Sequence, residues 1–267
     1  MTTSASSDEF VDLGERRLRL RRVVPRQDDG LDRTTLVFLH EGLGCIEMWR
    51  DFPQLLCDAT GCDGVVYDRT GYGRSSQWPT DPGLRYMEIE ADVVLPRFLK
   101  ALGIEDCVLV GHSDGGTIAL NYAAADPEPL RAVVTLAAHA VAEPVCVQSI
   151  ARAREAYTTT DLRQRLARYH DDVDRTFHLW ADAWLTPGFE PMDAVGRLPG
   201  VAVPVQAIQG EDDEYGSALQ LGIIAGKVGG YCETRLLPDC GHSPHLQQQP
   251  QVIAEITRFV APLALMD

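Results

Sequence analysis

Basic charge is scarce in this 267-residue chain: 24 Lys and Arg stand against 39 Asp and Glu, a formal net charge of -15. That balance argues against a nucleic-acid surface, because such binding relies on basic side chains that displace counterions from phosphates. The one basic cluster, Arg16, Arg17, Arg19, Arg21 and Arg22, alternates partly with Leu18, Leu20 and Val23. It reads as the solvent face of an N-terminal strand. Long apolar runs are missing as well, and no stretch approaches the roughly 20 residues that cross a bilayer. Residues 1–9 are polar and rich in Ser and Thr, a loose tail without the basic and apolar regions of a signal peptide. The seven cysteines (45, 57, 62, 107, 146, 232 and 240) are odd in number and form no CxxC pair. A reducing cytoplasm with free thiols explains this pattern. The chain also lacks internal repeats and low-complexity linkers. The expectation is a cytoplasmic protein that takes a small-molecule substrate and has no nucleic-acid or membrane partner. A homo-oligomer is compatible with all of this.

What is present is an alternation of strand-like and helix-like segments. Strand signals at 34–39, 64–67, 107–110, 132–136, 203–208 and 233–237 alternate with helical spacing at 49–59, 86–102, 115–125, 216–228 and 251–263. Such alternation predicts an α/β fold, a mostly parallel central sheet with helices on both faces. Asp28-Asp29-Gly30 is a turn signal between the arginine-rich segment and 34–39, so an antiparallel start to the sheet is expected. The alternation breaks between about 140 and 199, where 151–157, 162–169 and 173–184 read as helices. Trp180 and Trp184 share one helical face there, four residues apart. The predicted organisation is a core of 1–139 and 200–267, interrupted by a helical lid of 140–199.

The strongest chemical signal is Val108-Leu109-Val110-Gly111-His112-Ser113-Asp114-Gly115-Gly116, a G-x-S-x-G turn between an apolar strand and an apolar helix. The glycines leave room for strand and helix to approach, and the turn lifts the Ser113 hydroxyl to a helix N-terminus. A serine hydroxyl needs a base held by a third group. His242, in Asp239-Cys240-Gly241-His242-Ser243-Pro244-His245, follows the last strand and lies downstream of the serine, with His245 as second candidate. Cys240, His242 and His245 also suggest metal ligands, but a fourth is lacking. The acid should precede the base after a strand, and Gly210-Glu211-Asp212-Asp213-Glu214 supplies Asp213, then Asp212; Glu143 is an outside candidate. Backbone amides of Asp114 and of Leu43, in His40-Glu41-Gly42-Leu43-Gly44, are candidate oxyanion donors. Gly71-Tyr72-Gly73 resembles part of a dinucleotide fingerprint, yet Ser76 stands where the third glycine belongs.

These pieces, together with Asp68-Arg69-Thr70-Gly71-Tyr72-Gly73-Arg74-Ser75, resemble the α/β-hydrolase superfamily over nearly the whole chain. The usual loop in relatives reads H-G-x-G; here Glu41 is inserted between His40 and Gly42. The superfamily's acid often falls three positions after the glycine ending its strand, which favours Asp213. The resemblance implies that the irregular stretch is a helical cap and that no metal or organic cofactor is needed. A serine at the elbow centre argues against dehalogenase and epoxide hydrolase chemistry, although Asp114 stands beside it. The expected activity is hydrolysis of carboxylic esters, lactones or thioesters through an acyl-enzyme, with His139, Trp180 and Trp184 as candidate pocket residues. Carbon–carbon hydrolysis, hydroxynitrile cleavage, perhydrolysis and non-catalytic ligand binding remain open, because similar scaffolds carry each of them.

Overall fold

The apolar runs become the middle of an eight-stranded sheet in the computed structural model, which describes residues 8–27, 30–31, 33–125, 127–192 and 196–265. β1 (Glu9–Asp12) and β2 (Arg17–Val23) join antiparallel at one edge. β3 (Thr35–Leu39), β4 (Gly64–Tyr67), β5 (Cys107–His112), β6 (Leu130–Leu136), β7 (Val205–Gly210) and β8 (Cys232–Leu237) run parallel. Their spatial order is β1-β2-β4-β3-β5-β6-β7-β8. The chain therefore leaves β3 first toward one side, to β4, and later crosses to β5 on the other. That reversal opens a crevice at the carboxyl ends of β3 and β5, where open α/β sheets bind ligands.

Every residue of β5 is buried, as expected for a strand covered on both faces. Alternate side chains enter different layers: Val37, Leu39 and Leu109 one, Leu36, Phe38, Val108 and Val110 the other. The second layer packs α1 (Phe52–Thr60), and with it a helix from the far end of the chain, Gln249–Val260. The first is covered by α2 (Tyr86–Ile89), which passes through one π-helical turn into α3 (Leu95–Leu102), and by α4 (Asp114–Ala123). The predicted helix over 86–102 is thus continuous and halts at Gly103, φ +67°. Between β6 and β7 stand α5 (Pro144–Thr159), α6 (Leu162–Leu166) and α7 (Val173–Leu185). α8 (Ala218–Lys227) links β7 to β8, and α9 (Pro244–Gln247) leads into α10, the Gln249–Val260 helix. No helix among the described residues is long and apolar enough to cross a membrane.

Two expectations fail at the N-terminus. Glu9, read as the end of a tail, begins β1, paired to β2 from Glu9↔Leu20 to Asp12↔Arg17. A four-residue edge strand is too short for its own periodicity to reveal it. Arg19, read as solvent-facing, is 2% exposed. Its guanidinium meets Asp8 at 2.7 Å and Asp68 at 3.2 Å, and is paired with Glu47 as well. Asp68 also accepts the amides of Ile46 (2.8 Å) and Arg74 (2.9 Å). Alternation along a strand assigns a face, but carboxylates from distant segments decide whether that face is wet. Residues 1–7, and Asp28 and Asp29 of the turn signal, lie outside the described residues.

Removing one partner of a buried ion pair leaves the other charge uncompensated. Arg19→Met is accordingly expected to lower unfolding free energy by about 3 kcal/mol or more. Urea denaturation followed by tryptophan fluorescence measures it; a loss below about 1 kcal/mol would place this cluster among weak surface pairs.

Candidate active site

Ser113 sits where β5 turns into α4, with φ +53° and ψ −119°, a backbone that L-residues adopt only under strain. The strain is held by close backbone packing. A Cβ added to Gly115 would overlap the Leu39 carbonyl, and one on Gly111 would overlap the Gly115 peptide. The Ser113 amide donates to the Leu136 carbonyl at 2.8 Å, tying the turn to the neighbouring strand. Asp114 begins the helix, so its amide has no partner within the helix and points no bond elsewhere among the described residues.

The loop after β8 brings His242 to this turn. Its Nε2 lies 3.0 Å from Ser113 Oγ, and its Nδ1 lies 2.9 and 3.0 Å from the two carboxylate oxygens of Asp213. A carboxylate only accepts, so Nδ1 carries the proton and Nε2 is free to accept from the serine hydroxyl. Asp213 is buried at the end of β7 and also accepts the amides of Tyr215 (2.8 Å) and Gly216 (3.2 Å). Burial pushes its carboxyl up, but the hydrogen bond and charge of His242 outweigh that and hold it below the ordinary value.

Other candidates are placed elsewhere. Asp212 is exposed. Glu143 accepts from Ser217 N (2.8 Å), Ser217 Oγ (2.6 Å) and Gln220 Nε2 (2.8 Å), which fastens the exit of β6 to the start of α8. His245 turns into the core, its ring 4.9 Å from Trp49 and 5.5 Å from Phe52. With His245 there and His242 engaged by Ser113 and Asp213, the Cys240–His242–His245 grouping does not converge as ligands.

A cavity of about 120 Å³ opens on Ser113, walled by Glu41, Gly42, Leu43, Asp114, His139, Cys146, Ile150, Trp180, Trp184, Tyr215 and His242. Leu43, Asp114, His139, Trp180 and Trp184 were all named from sequence, and the structure brings them to one wall or another. The amides of Gly42 and Leu43, like that of Asp114, have no acceptor among the described residues. His139 donates from Nε2 to the Tyr215 carbonyl (3.1 Å); burial first, then the His242 charge, push its imidazole down to about 4. It is therefore neutral at neutral pH.

Helices α5 and α7 roof this cavity, and two contacts that the sequence did not reveal fix them to its floor. Trp184 Nε1 donates to Tyr86 Oη (3.1 Å), which donates to Asp114 Oδ2 (2.6 Å). His170, just before α7, accepts the Gly73 amide at Nδ1 (2.9 Å) and donates from Nε2 to the Leu43 carbonyl (3.0 Å). The Trp180 indole lies so close to Gly42 that an added Cβ would overlap it. Tyr86 and His170 carry no local motif; their roles come from partners 28 and 127 positions away.

A family model described as alpha/beta hydrolase fold matches residues 34–176. The chain belongs to the α/β-hydrolase fold family. Over 105 residues it is 33% identical to the sn-1-specific diacylglycerol lipase ABHD11 of Danio rerio, covering 39% of this chain and 32% of that protein. Over 103 residues it is 40% identical to a proline iminopeptidase of Levilactobacillus brevis, covering 38% and 33%. The match spans about a third of the length of these curated relatives. Among solved structures, the proline iminopeptidase of Mycobacterium smegmatis superimposes with a TM-score of 0.75 over 96% of this chain and 98% of that one. At 19% identity this likeness shows the α/β-hydrolase fold alone.

Within this α/β-hydrolase site, Gly42→Ala forces the 40–44 loop or Trp180 to move. Overpacking of this kind costs about 1–3 kcal/mol, and Trp180→Leu in the same chain should recover most of it in urea denaturation. If Gly42→Ala alone is neutral, the indole does not press on the loop. A second expectation concerns pH. Burial would raise the Glu41 carboxyl, but His112 outweighs it and holds it well below the ordinary range. Burial would lower the His112 imidazole, but Glu41 outweighs that and raises it. Stability from Asp213 and Glu41 is present above the usual carboxylate values near about 4 and is lost below them, as pH falls through the lowered folded values. Stability from His112 is full below about 6.5 and is lost as pH rises through its raised folded value. The thermal midpoint should therefore fall on both sides of a plateau, and Glu41→Gln should flatten both limbs; unchanged limbs would contradict the pairing.

Proposed function

We propose that this α/β-hydrolase cleaves carboxylic esters, lactones or thioesters through an acyl-enzyme on Ser113. The observation that carries the reading is the unbroken chain Ser113 Oγ–His242 Nε2, His242 Nδ1–Asp213, set on a strained turn at the mouth of a cavity. In the first half-reaction Ser113 Oγ bonds to the substrate carbonyl carbon while His242 Nε2 takes its proton. Negative charge develops on the carbonyl oxygen, where the Asp114 amide and that of Leu43 or its neighbour Gly42 receive it. His242 passes the proton to the departing alcohol or thiol. Water then attacks the acyl-enzyme, giving its proton to His242, and the acid leaves as Ser113 is reprotonated. Asp213 keeps the imidazole in the needed tautomer and balances the imidazolium.

The hydrolase names of the relatives support this class. Residues 140–199 act in this reading as a cap on the core of 1–139 and 200–267, since α5 and α7 supply Cys146, Ile150, Trp180 and Trp184 to the cavity. A dry cavity of about 150 Å³ holds a benzene molecule, so about 120 Å³ suits a short acyl group. The seven free thiols support a reducing, cytoplasmic setting.

A fluorophosphonate serine probe followed by intact-mass spectrometry tests the proposal. One adduct is expected on the wild type, none on Ser113→Ala, and slow labelling on His242→Ala. Among p-nitrophenyl esters, thioesters, lactones and anilides, kcat/KM should favour short acyl chains and oxygen or sulfur leaving groups. An unlabelled wild type, with the probe active on a control enzyme, would count against the mechanism; preference for anilides would move the assignment to amide hydrolysis.

A further inference from the structure

His112, the residue before Ser113 in the elbow, takes no part in the steps above, yet it is 2% exposed and fully engaged. Its Nδ1 lies 3.2 Å from Glu41 Oε2 and its Nε2 lies 2.7 Å from the backbone carbonyl of His242. Both partners can only accept. A neutral imidazole has one N–H and would leave a lone pair facing one of them; against an ionised Glu41, only the imidazolium satisfies both. The loop after β3 is built around the matching anion, since a Cβ on Gly44 would come within 2.5 Å of Glu41 Oε2 and 2.6 Å of its Cδ. The base loop is also held where the His242 amide donates to Glu214 (3.2 Å), the Gly241 amide to Gln247 (2.7 Å) and the Asp212 amide to the Cys240 carbonyl (2.9 Å).

We infer that the Glu41–His112 ion pair is a positioning device: it fastens the loop carrying His242 to the loop carrying Gly42 and Leu43, and so sets the His242 imidazole against Ser113. The inference rests on the proposed serine-hydrolase reading, and neither residue touches the reacting atoms. The charged and titratable groups around the pair are His40, His170 and Arg69 on the Glu41 side, His242, His245 and Asp213 on the His112 side, and Arg50 near His245. When His112 loses a proton, Glu41 retains the remaining N–H as the stronger acceptor. Nε2 then presents a lone pair to the His242 carbonyl, and the hold fails.

The test compares wild type, His112→Ala, His112→Gln, Glu41→Ala and Glu41→Gln. It reads fluorophosphonate labelling rates, kcat and KM on a short p-nitrophenyl ester across pH, and the proton resonance of His242 Nδ1–H. Misplacing a reacting group by about 1 Å costs on the order of 100-fold, so His112→Ala should label about 10- to 100-fold slower, through kcat with KM little changed. His112→Gln, whose amide can donate to the carbonyl, should recover much of that loss. Glu41→Ala should also be slow. Glu41→Gln can donate to Nδ1 of a neutral His112 and leave Nε2–H on the carbonyl. It should label faster than Glu41→Ala and lose the alkaline fall that His112 deprotonation gives the wild type.

A His112→Ala that labels at the wild-type rate overturns the inference. So does a His112→Gln no better than His112→Ala, because simple packing would then explain the loss. The resonance separates this from the chemistry: if the wild type does not label but His112→Ala alone loses the His242 signal, the serine-hydrolase reading fails and the positioning stands. Should His112→Ala not fold, the Gln variants at 112 and 41 give the same comparison.

Discussion

The close backbone approach of the β5–α4 turn to the end of β3 is the contact on which the site depends. Ser113 can hold φ +53° because Gly115 lies against the Leu39 carbonyl and the Ser113 amide reaches the Leu136 carbonyl. One packing contact therefore fixes two things at once: the direction of the hydroxyl, and the spacing between the Asp114 amide and the 40–44 loop. A side chain at position 115 would push strand and helix apart and uncouple them. The strain is local, while the structure that sustains it is the whole centre of the sheet.

Around that turn, buried charge is handled by pairing and buried histidine by tautomer. Arg19 is neutralised by three carboxylates, Glu41 by His112, and Asp114 receives Tyr86 with Arg69 nearby at 3.9 Å. His40 accepts the Arg69 amide at Nε2 and donates from Nδ1 to the Glu41 carbonyl, so it is a neutral spacer, as is His170. The acidic surplus of the chain thus says little about the site, where Glu41 meets His112 and Asp114 lies near Arg69.

The α5–α7 segment is anchored at specific points. Trp184 hangs on Tyr86 and thence on Asp114; His170 and Trp180 bear directly on the 42–43 loop. Any displacement of the roof is consequently felt by the amides proposed to hold the oxyanion. In such an arrangement, the fit of an acyl group under the tryptophans and the geometry of charge stabilisation are coupled, and substrate size can influence rate as well as affinity.

The sequence alone determined the features that rest on short stretches of chain. Apolar runs in β3, β5 and β6 are long enough to mark buried parallel strands, and Gly111-His112-Ser113-Asp114-Gly115 needs only its flanking strand and helix to define a turn. Asp213 and His242 were legible because each follows a strand, and parallel strands deliver their following loops to one edge. Pairings across the chain were decided only by the tertiary structure. Arg19 looked solvent-facing until Asp8, Glu47 and Asp68 closed on it, and β1 needed its partner β2 to be a strand at all. Glu41 and His112 stand 71 positions apart, inside two motifs that point elsewhere, one an insertion and the other a position that G-x-S-x-G leaves unspecified. Periodicity and spacing report on neighbours along the chain. Which charges meet in the interior depends on how the sheet brings separate loops together, and that is written in no single segment.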